Sequence, residues 1–279
     1  MVEHYIPTSY QEALEILSKG NTQVFAGGTD LMIQYRSTSN TLPKFKKNML
    51  YAFNLEELKY IKKNGNIIHI GAMTPLEVLL ENDLTPAPLK KIIKEMASPA
   101  LRHVATLAGN IANASPAGDS LIVLYLLNAR IICESIHGLR EVPIETFITG
   151  VRKTVLLEHE IIKEIIINND SFTKYEVTKV GTRKADAIAK VSVAIAITIE
   201  EEIIKDFRVV IGSVATTVIR ERHLEKQFIN INIETMKNQI DKVLANYDPL
   251  IKPIDDQRSN KTYRRHVAHN LIRDFITNI

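Results

Sequence analysis

The sequence predicts an α+β fold, and three observations carry that reading. Segments with helical apolar spacing are mixed with segments of β-branched alternation, without the strict strand and helix alternation of a doubly wound sheet. Two long β-branched runs, KVSVAIAITIEEE and FRVVIGSVA, flank an acidic turn near Glu200 to Lys205, the pattern of a hairpin or meander. The 279 residues, 45% of them hydrophobic, suffice for two or three lobes that each bury a core.

In chain order, S-Y-Q-E announces the first helix: Ser9 caps it, Glu12 completes a capping box, and Gly20 stands at its end. QVFA then reads as a short buried strand. Between residues 38 and 48 the chain turns polar and basic around Pro43, which marks a loop or subdomain joint. IIHIGAM is a strand running into T-P-L-E, where Thr74 caps, Pro75 takes the first helical position and Glu77 completes a second capping box. LKKIIKEMAS sets lysines opposite an apolar face, as a surface helix does. LIVLYLLNARIIC is a buried helix feeding a strand, and EIIKEIIIN is a further strand. The tail from about Leu224 is helical, with a break between Asp248 and Pro253.

Composition narrows the function classes. The 35 basic and 32 acidic residues are spread along the chain and leave a net charge of +3, so no field for nucleic acid is built. The densest basic run, KFKK, is a solvated loop. The N-terminus MVEHYIPTSY lacks the apolar centre of a signal peptide. The longest apolar run, Leu121 to Leu127, is far shorter than the ~20 residues of a membrane span. A soluble, cytoplasmic protein is expected, with no nucleic-acid or membrane partner. Cys133 is the only cysteine, so this chain alone holds no disulfide, thiolate-ligated iron–sulfur cluster or Cys-rich zinc site. H-E-x-x-H and G-x-S-x-G are absent, and His266 with His269 has no nearby carboxylate or thiol in sequence. Metal and hydrolytic sites are therefore not expected.

Three stretches can carry binding chemistry. In AGGTDLM, Ala26 to Met32, paired glycines let backbone N–H groups approach an anion, and a following helix adds its positive end. A tight turn before a capped helix is the equal alternative, and in either case Asp30 or Thr29 is expected to cap, which keeps the Asp30 carboxylate away from a phosphate. The stretch is neither a P-loop nor a Rossmann fingerprint. TLAGNIANASPAGDS, Thr106 to Ser120, has thirteen small or polar residues out of fifteen. Such a run wraps a backbone around a large ligand, with Thr106, Asn110, Asn113, Ser115 and Asp119 as donors and acceptors, or forms a plain irregular loop. YEVTKVGTRKADAIAK places Lys179, Arg183, Lys184 and Lys190 in a segment patterned as buried sheet, where they face a bound anion or solvent.

AGGTDL, RHVATLAGNIANASPAGDS, K-x-x-x-R-K-A-D-A-I-A-K-V and D-x-R-S-N-K-T-Y-R, in that order over nearly the whole chain, closely resemble the FAD-binding medium subunit of molybdenum hydroxylases. Xanthine dehydrogenase, carbon monoxide dehydrogenase and aldehyde oxidoreductases belong to that family. The resemblance implies a two-lobed PCMH-type FAD-binding domain over residues 1–168, with lobes of about 1–50 and 51–168. A smaller α+β C-terminal domain with an antiparallel sheet would cover 169–279. It implies that Val24, Phe25, Ala26, Gly27, Gly28, Thr29 and Asp30 clamp the FAD pyrophosphate with Thr106, Leu107, Ala108, Gly109 and Asn110. Ala108 stands where the family has a glycine. By the same resemblance Asp119 contacts the adenosine half, Lys179 lies near the flavin ring, Ile162 beside it across a one-residue gap, and Met96 matches an apolar neighbour by distance. No catalytic residue and no metal ligand are implied, and neither loop contains the His or Cys that covalent attachment would need.

The implied role is electron transfer. Substrate is oxidised on a molybdenum-cofactor large subunit, electrons cross [2Fe-2S] clusters of a small subunit, and FAD on this chain passes them to NAD+ or another acceptor. Purines are the first expectation for the substrate, with aldehydes and carbon monoxide open. Two alternatives stand beside it: a self-sufficient flavin oxidoreductase of the same fold, and a scaffold subunit without flavin.

Overall fold

The computed structural model describes residues 2–36, 38, 41–184 and 186–279. Its elements begin with β1 (His4–Tyr5), α1 (Tyr10–Ser18), β2 (Thr22–Phe25), α2 (Leu31–Tyr35), β3 (Asn48–Tyr51), β4 (Ile61–Asn64) and β5 (Ile67–Gly71). Five helices follow, α3 (Leu76–Glu81), α4 (Ala87–Glu95), α5 (Pro99–Arg102), α6 (Leu107–Asn113) and α7 (Asp119–Leu126). Next come β6 (Arg130–Ser135), β7 (Gly138–Pro143), α8 (Ile144–Phe147), β8 (Ile148–Gly150), β9 (Lys153–Thr154) and β10 (Ile161–Asn168). The remainder is β11 (Lys174–Val180), β12 (Val191–Glu200), β13 (Ile203–Gly212), β14 (Ile219–Arg220), α9 (Arg222–Lys226), α10 (Ile233–Asn238), α11 (Ile240–Tyr247) and α12 (Lys261–Thr277).

Two compact units form. The first gathers the chain up to Thr85 with Ser98–Ala114 and Ala129–Asn168. It holds a parallel sheet in the order β1-β3-β2, an antiparallel sheet in the order β4-β5-β10-β6-β7, and the β8–β9 pair. Ser9 accepts the Glu12 N–H and opens α1, a cap of about 1 kcal/mol. The Glu12 carboxylate reaches one residue beyond the predicted box, to the backbone N–H and hydroxyl of Thr8. Ala13, Leu14 and Leu17 of α1 then pack on Leu50, Leu55 and Leu58. β2 is only half buried, not buried as predicted, because it is the edge of its sheet. Thr74 does not cap α3: its hydroxyl accepts the Tyr60 N–H and donates to the Tyr60 carbonyl, closing the β4–β5 approach, and Glu77 pairs with Arg102 instead.

The second unit gathers Pro86–Ala97, Ser115–Asn128 and Asn169–Ile279. Its antiparallel sheet runs β11-β12-β13-β14. Val193, Ile195, Ile197, Phe207, Val209 and Ile211 turn one face toward the cluster of Tyr247, Ala268, Ile272 and Phe275. The alternate residues turn to α7, whose Ile122 lies against Gly212 and whose Leu126 carbonyl accepts from buried Arg208. Burial on both faces is why VSVAIAI reads as an almost unbroken apolar run. The predicted hairpin is present, turning at Glu201 and Glu202, and α7 has all eight residues buried, as expected of LIVLYLL. The C-terminal helices and their break at Asp248 to Pro253 also follow the prediction. The strand in YEVTKVGTRKADAIAK stops at Val180, and the described residues beyond it form a loop; Ala185 lies outside the described residues.

Among the described residues no helix is long and apolar enough to cross a membrane, and no group of three or more His, Cys, Asp or Glu is placed to hold a metal ion.

Candidate functional site

The segment after β2 meets the segment before α6 backbone to backbone. A Cβ on Gly27 would stand 2.0 Å from the Val104 carbonyl oxygen and 3.0 Å from the Ala105 Cα, so only glycine permits this approach. Gly28 has φ +66°, with the Phe25 ring where a Cβ would point. The N–H groups of Gly27, Gly28, Thr29 and Asp30 meet no acceptor among the described residues. Beside them lies a cavity of about 300 Å³ lined by Phe25, Ala26, Gly27, Lys59, His103 and Val104, with Phe53, Met73 and Pro75 completing it. Of the residues that line it, the motifs mark only Phe25, Ala26 and Gly27 as binding residues. His103 and Val104 stand directly before TLAGN, which is the signal that points to them, whereas Phe53, Lys59 and Met73 carry no local signal.

Asp30 does not cap α2, contrary to expectation. It occupies the position before the helix, but its backbone is helical (φ −100°, ψ −36°) and its side chain makes no capping bond. The carboxylate turns sideways, accepting from Gln34 Nε2 at 2.6 Å and Arg152 Nη1 at 3.0 Å. Desolvation pushes its pKa up, and the hydrogen bonds and charge of Arg152, with Gln34, outweigh that and hold it below the ordinary value. The predicted consequence, a carboxylate drawn aside from the loop N–H groups, is reached by these partners. With only five residues, α2 adds little helix dipole, and the loop N–H groups are the donors.

TLAGNIAN is a helix and not the predicted ligand-wrapping loop. Thr106 caps α6 by accepting the Gly109 N–H at 3.0 Å, and the Asn110 N–H bonds to the Thr106 carbonyl. Buried Leu107, Ala108 and Ile111 seat the helix, which overrides the low helix propensity of Gly and Asn. The Gly109 and Asn110 N–H groups are thereby consumed, while those of Leu107 and Ala108 have no acceptor among the described residues. A Cβ on Gly109 would be 3.8 Å from the Ala26 Cβ, so the two motifs are neighbours in the first unit.

Asp119, Lys179 and Met96 belong to the second unit. Asp119 and Lys179, expected at separate ends of a ligand, meet as an ion pair: Lys179 Nζ is 2.7 Å from Asp119 Oδ2, and also donates to the Glu95 carbonyl at 2.9 Å. The lysine side chain is 1% exposed, and a charge so buried requires a partner. Desolvation raises the Asp119 pKa further than Lys179 lowers it, and Asp119 Oδ1 is buried without a hydrogen bond among the described residues. Val24 lies in β2. Ile162 is buried in β10 opposite Cys133, beside a bulge, and does not line the cavity at Gly27. Arg183 pairs with Asp186, Lys184 is exposed, and Lys190 lies over the Tyr263 ring.

The D-x-R-S-N-K-T-Y-R motif is a structural clasp. Asp256 accepts from Arg264 at 2.7 Å and from the Arg258 and Ser259 N–H groups. Against the upward push of desolvation, these bonds hold its carboxyl down to about 2. Buried Arg264 binds the Lys190 and Ser213 carbonyls, joining two loops to α12.

A dinucleotide needs several unspent N–H donors for its diphosphate. The four loop N–H groups from Gly27 to Asp30, without an acceptor among the described residues, supply them beside the cavity, and Gly27 packs that loop onto the Val104 main chain, so the residues present fit FAD.

Comparison with known proteins agrees. Residues 1–169 match the family described as the FAD binding domain in molybdopterin dehydrogenase, and residues 176–279 the CO dehydrogenase flavoprotein C-terminal domain. The chain is 32% identical to the glyceraldehyde dehydrogenase medium chain of Sulfolobus acidocaldarius, covering 93% of this chain and 92% of that one. It is 27% identical to the xanthine dehydrogenase FAD-binding subunit of Escherichia coli O157:H7, covering 95% and 91%. The carbon monoxide dehydrogenase structure from Hydrogenophaga pseudoflava superposes with a TM-score of 0.88 over 98% of this chain and 95% of that one. At 22% identity that likeness speaks for the fold alone. With one family model spanning more than half its length and a second covering most of the rest, this chain belongs to the FAD-binding medium subunits of the molybdopterin dehydrogenases, flavoprotein oxidoreductase subunits of the xanthine and carbon monoxide dehydrogenase type.

Proposed function

We propose that this chain is the electron-transfer subunit of a molybdenum hydroxylase complex, taking electrons from [2Fe-2S] clusters on a small partner subunit and passing them to NAD+ or another acceptor. A large partner subunit with the molybdenum cofactor would oxidise the substrate. The observation that carries this reading is the loop from Gly27 to Asp30, glycine-packed against Val104 with N–H groups that meet no acceptor among the described residues. Bound FAD supplies the exchange between single-electron and paired-electron transfer. The chain's own residues bind and orient: the N–H groups of Gly27 to Asp30 hold the diphosphate, and those of Leu107 and Ala108 add donors. Asp119 and Lys179 act as one ion pair whose charges balance. The single cysteine supports clusters that reside on a partner. The family boundaries at 169 and 176 support an FAD-binding domain of 1–168 followed by a C-terminal domain of 169–279 along the sequence, although Pro86–Ala97 and Ser115–Asn128 of the first stretch pack within the second compact unit.

The test is purification of the chain alone and with co-expressed partner subunits. The chain alone is expected to carry stoichiometric FAD that acid denaturation releases. Its flavin should be bleached by substrate only in the assembled complex, which should contain molybdenum and iron. Glyceraldehyde and xanthine are the first substrates to try, after the names of the two relatives. A colourless chain that still binds its partners would point to a scaffold, and bleaching without partners to a stand-alone oxidoreductase.

A further inference from the structure

We infer that Arg152 is a positioning residue for the FAD diphosphate: it neutralises the Asp30 carboxylate and ties it to Asn113, so that the N–H groups of Gly27 to Asp30 face an anion without a bare negative charge beside them. The inference rests on the FAD reading of that loop.

Asp30 is the feature that needs explaining. A loop whose N–H groups, without acceptors among the described residues, invite an anion carries a carboxylate at its end, and a carboxylate beside a bound diphosphate repels it. Arg152 answers it from the turn between β8 and β9, 122 positions away. Its Nη1 donates to Asp30 Oδ2 at 3.0 Å and to Asn113 Oδ1 at 2.7 Å. Gln34 Nε2 bridges the same two oxygens at 2.6 and 2.9 Å. The loop after β2 is thus tied to the C-terminal end of α6, the helix that opens with the second motif.

Two further observations set Arg152 apart from an ordinary surface arginine. Its φ is +54°, a region that favours glycine or asparagine. The strain is held by a hydrogen bond from its N–H to the carbonyl of Ala114, itself left-handed at φ +46°. Its Nε and Nη2 have no acceptor among the described residues, and the side chain is 45% exposed. The guanidinium therefore retains donors beyond those spent on Asp30 and Asn113.

The experiment is a titration of the full-length apo-protein with FAD, followed by flavin fluorescence, for the wild type, Arg152→Ala, Arg152→Lys, Asp30→Asn and the double variant Asp30→Asn with Arg152→Ala. Unmasking the Asp30 carboxylate beside the loop predicts FAD binding weakened by about tenfold or more in Arg152→Ala. Arg152→Lys should keep most of the affinity, Asp30→Asn should bind at least as tightly as wild type, and the double variant should recover most of the loss. Apo-protein melting should hardly move in any of them, since exposed ion pairs contribute little to stability. Wild-type affinity in Arg152→Ala, or a double variant as weak as the single, overturns the inference and leaves the reading of the loop standing. A wild-type chain that takes up no FAD overturns both.

Discussion

Gly27 and Gly109 look alike in the motifs, and the structure separates them. At Gly27 a methyl group would collide with main chain, 2.0 Å from the Val104 carbonyl oxygen, and two segments would have to part. At Gly109 the nearest atom is the Thr106 hydroxyl oxygen at 3.1 Å, which a small shift relieves. Gly27→Ala should therefore lose bound FAD and destabilise the apo-protein by about 1–3 kcal/mol, the range for overpacking, whereas Gly109→Ala should retain FAD. Absorbance of the purified variants at the flavin band and chemical denaturation check both; FAD-replete Gly27→Ala would refute the close-approach argument. Asp30, Asp119 and Lys179 show why residue identity alone misleads. Each was singled out by motif position, and each finds its partner elsewhere in the chain: Asp30 with Arg152, and Asp119 with Lys179.

The β12–β13 hairpin was readable because its signal is local, two β-branched runs about an acidic turn. Its turn chemistry is poor: Glu201 and Glu202 sit at φ +49° and +64°, where a two-residue hairpin turn favours Asn and Gly. Glu201→Asn with Glu202→Gly should raise stability by about 1 kcal/mol, seen as a higher urea midpoint with unchanged slope; a lower midpoint would mean the two glutamates make contacts that outweigh the turn strain. Helix α6 was the opposite case. Its small polar residues suggest an irregular loop, yet Leu107 and Ile111, one helical turn apart and both buried, anchor it behind the Thr106 cap. That i, i+4 pair behind a threonine was the available signal, but two apolar residues make too short a period to outweigh Gly109, Asn110 and Asn113 without the core they dock on.

Across the chain, FAD binding and folding are linked, because a ligand that binds only the folded state stabilises it. At free FAD about a hundred times its Kd, the gain is about 2.7 kcal/mol. The wild-type melting midpoint should climb with added FAD, while that of Gly27→Ala should not; a midpoint indifferent to FAD in both would count against the site. Residue type and near-neighbour period alone were enough for the α+β class and for the exclusion of thiolate-ligated iron–sulfur clusters from a chain with one cysteine, because a linear sequence displays both directly. The family followed from the resemblance of four motifs in order to those of known proteins. Which N–H groups stay free, and which charge each carboxylate meets, depended on contacts such as Arg152 with Asp30, 122 positions apart. A helical or strand period reports neighbours only a few residues away, so that pairing, and the exposure of the loop beside it, came into being only when the chain folded.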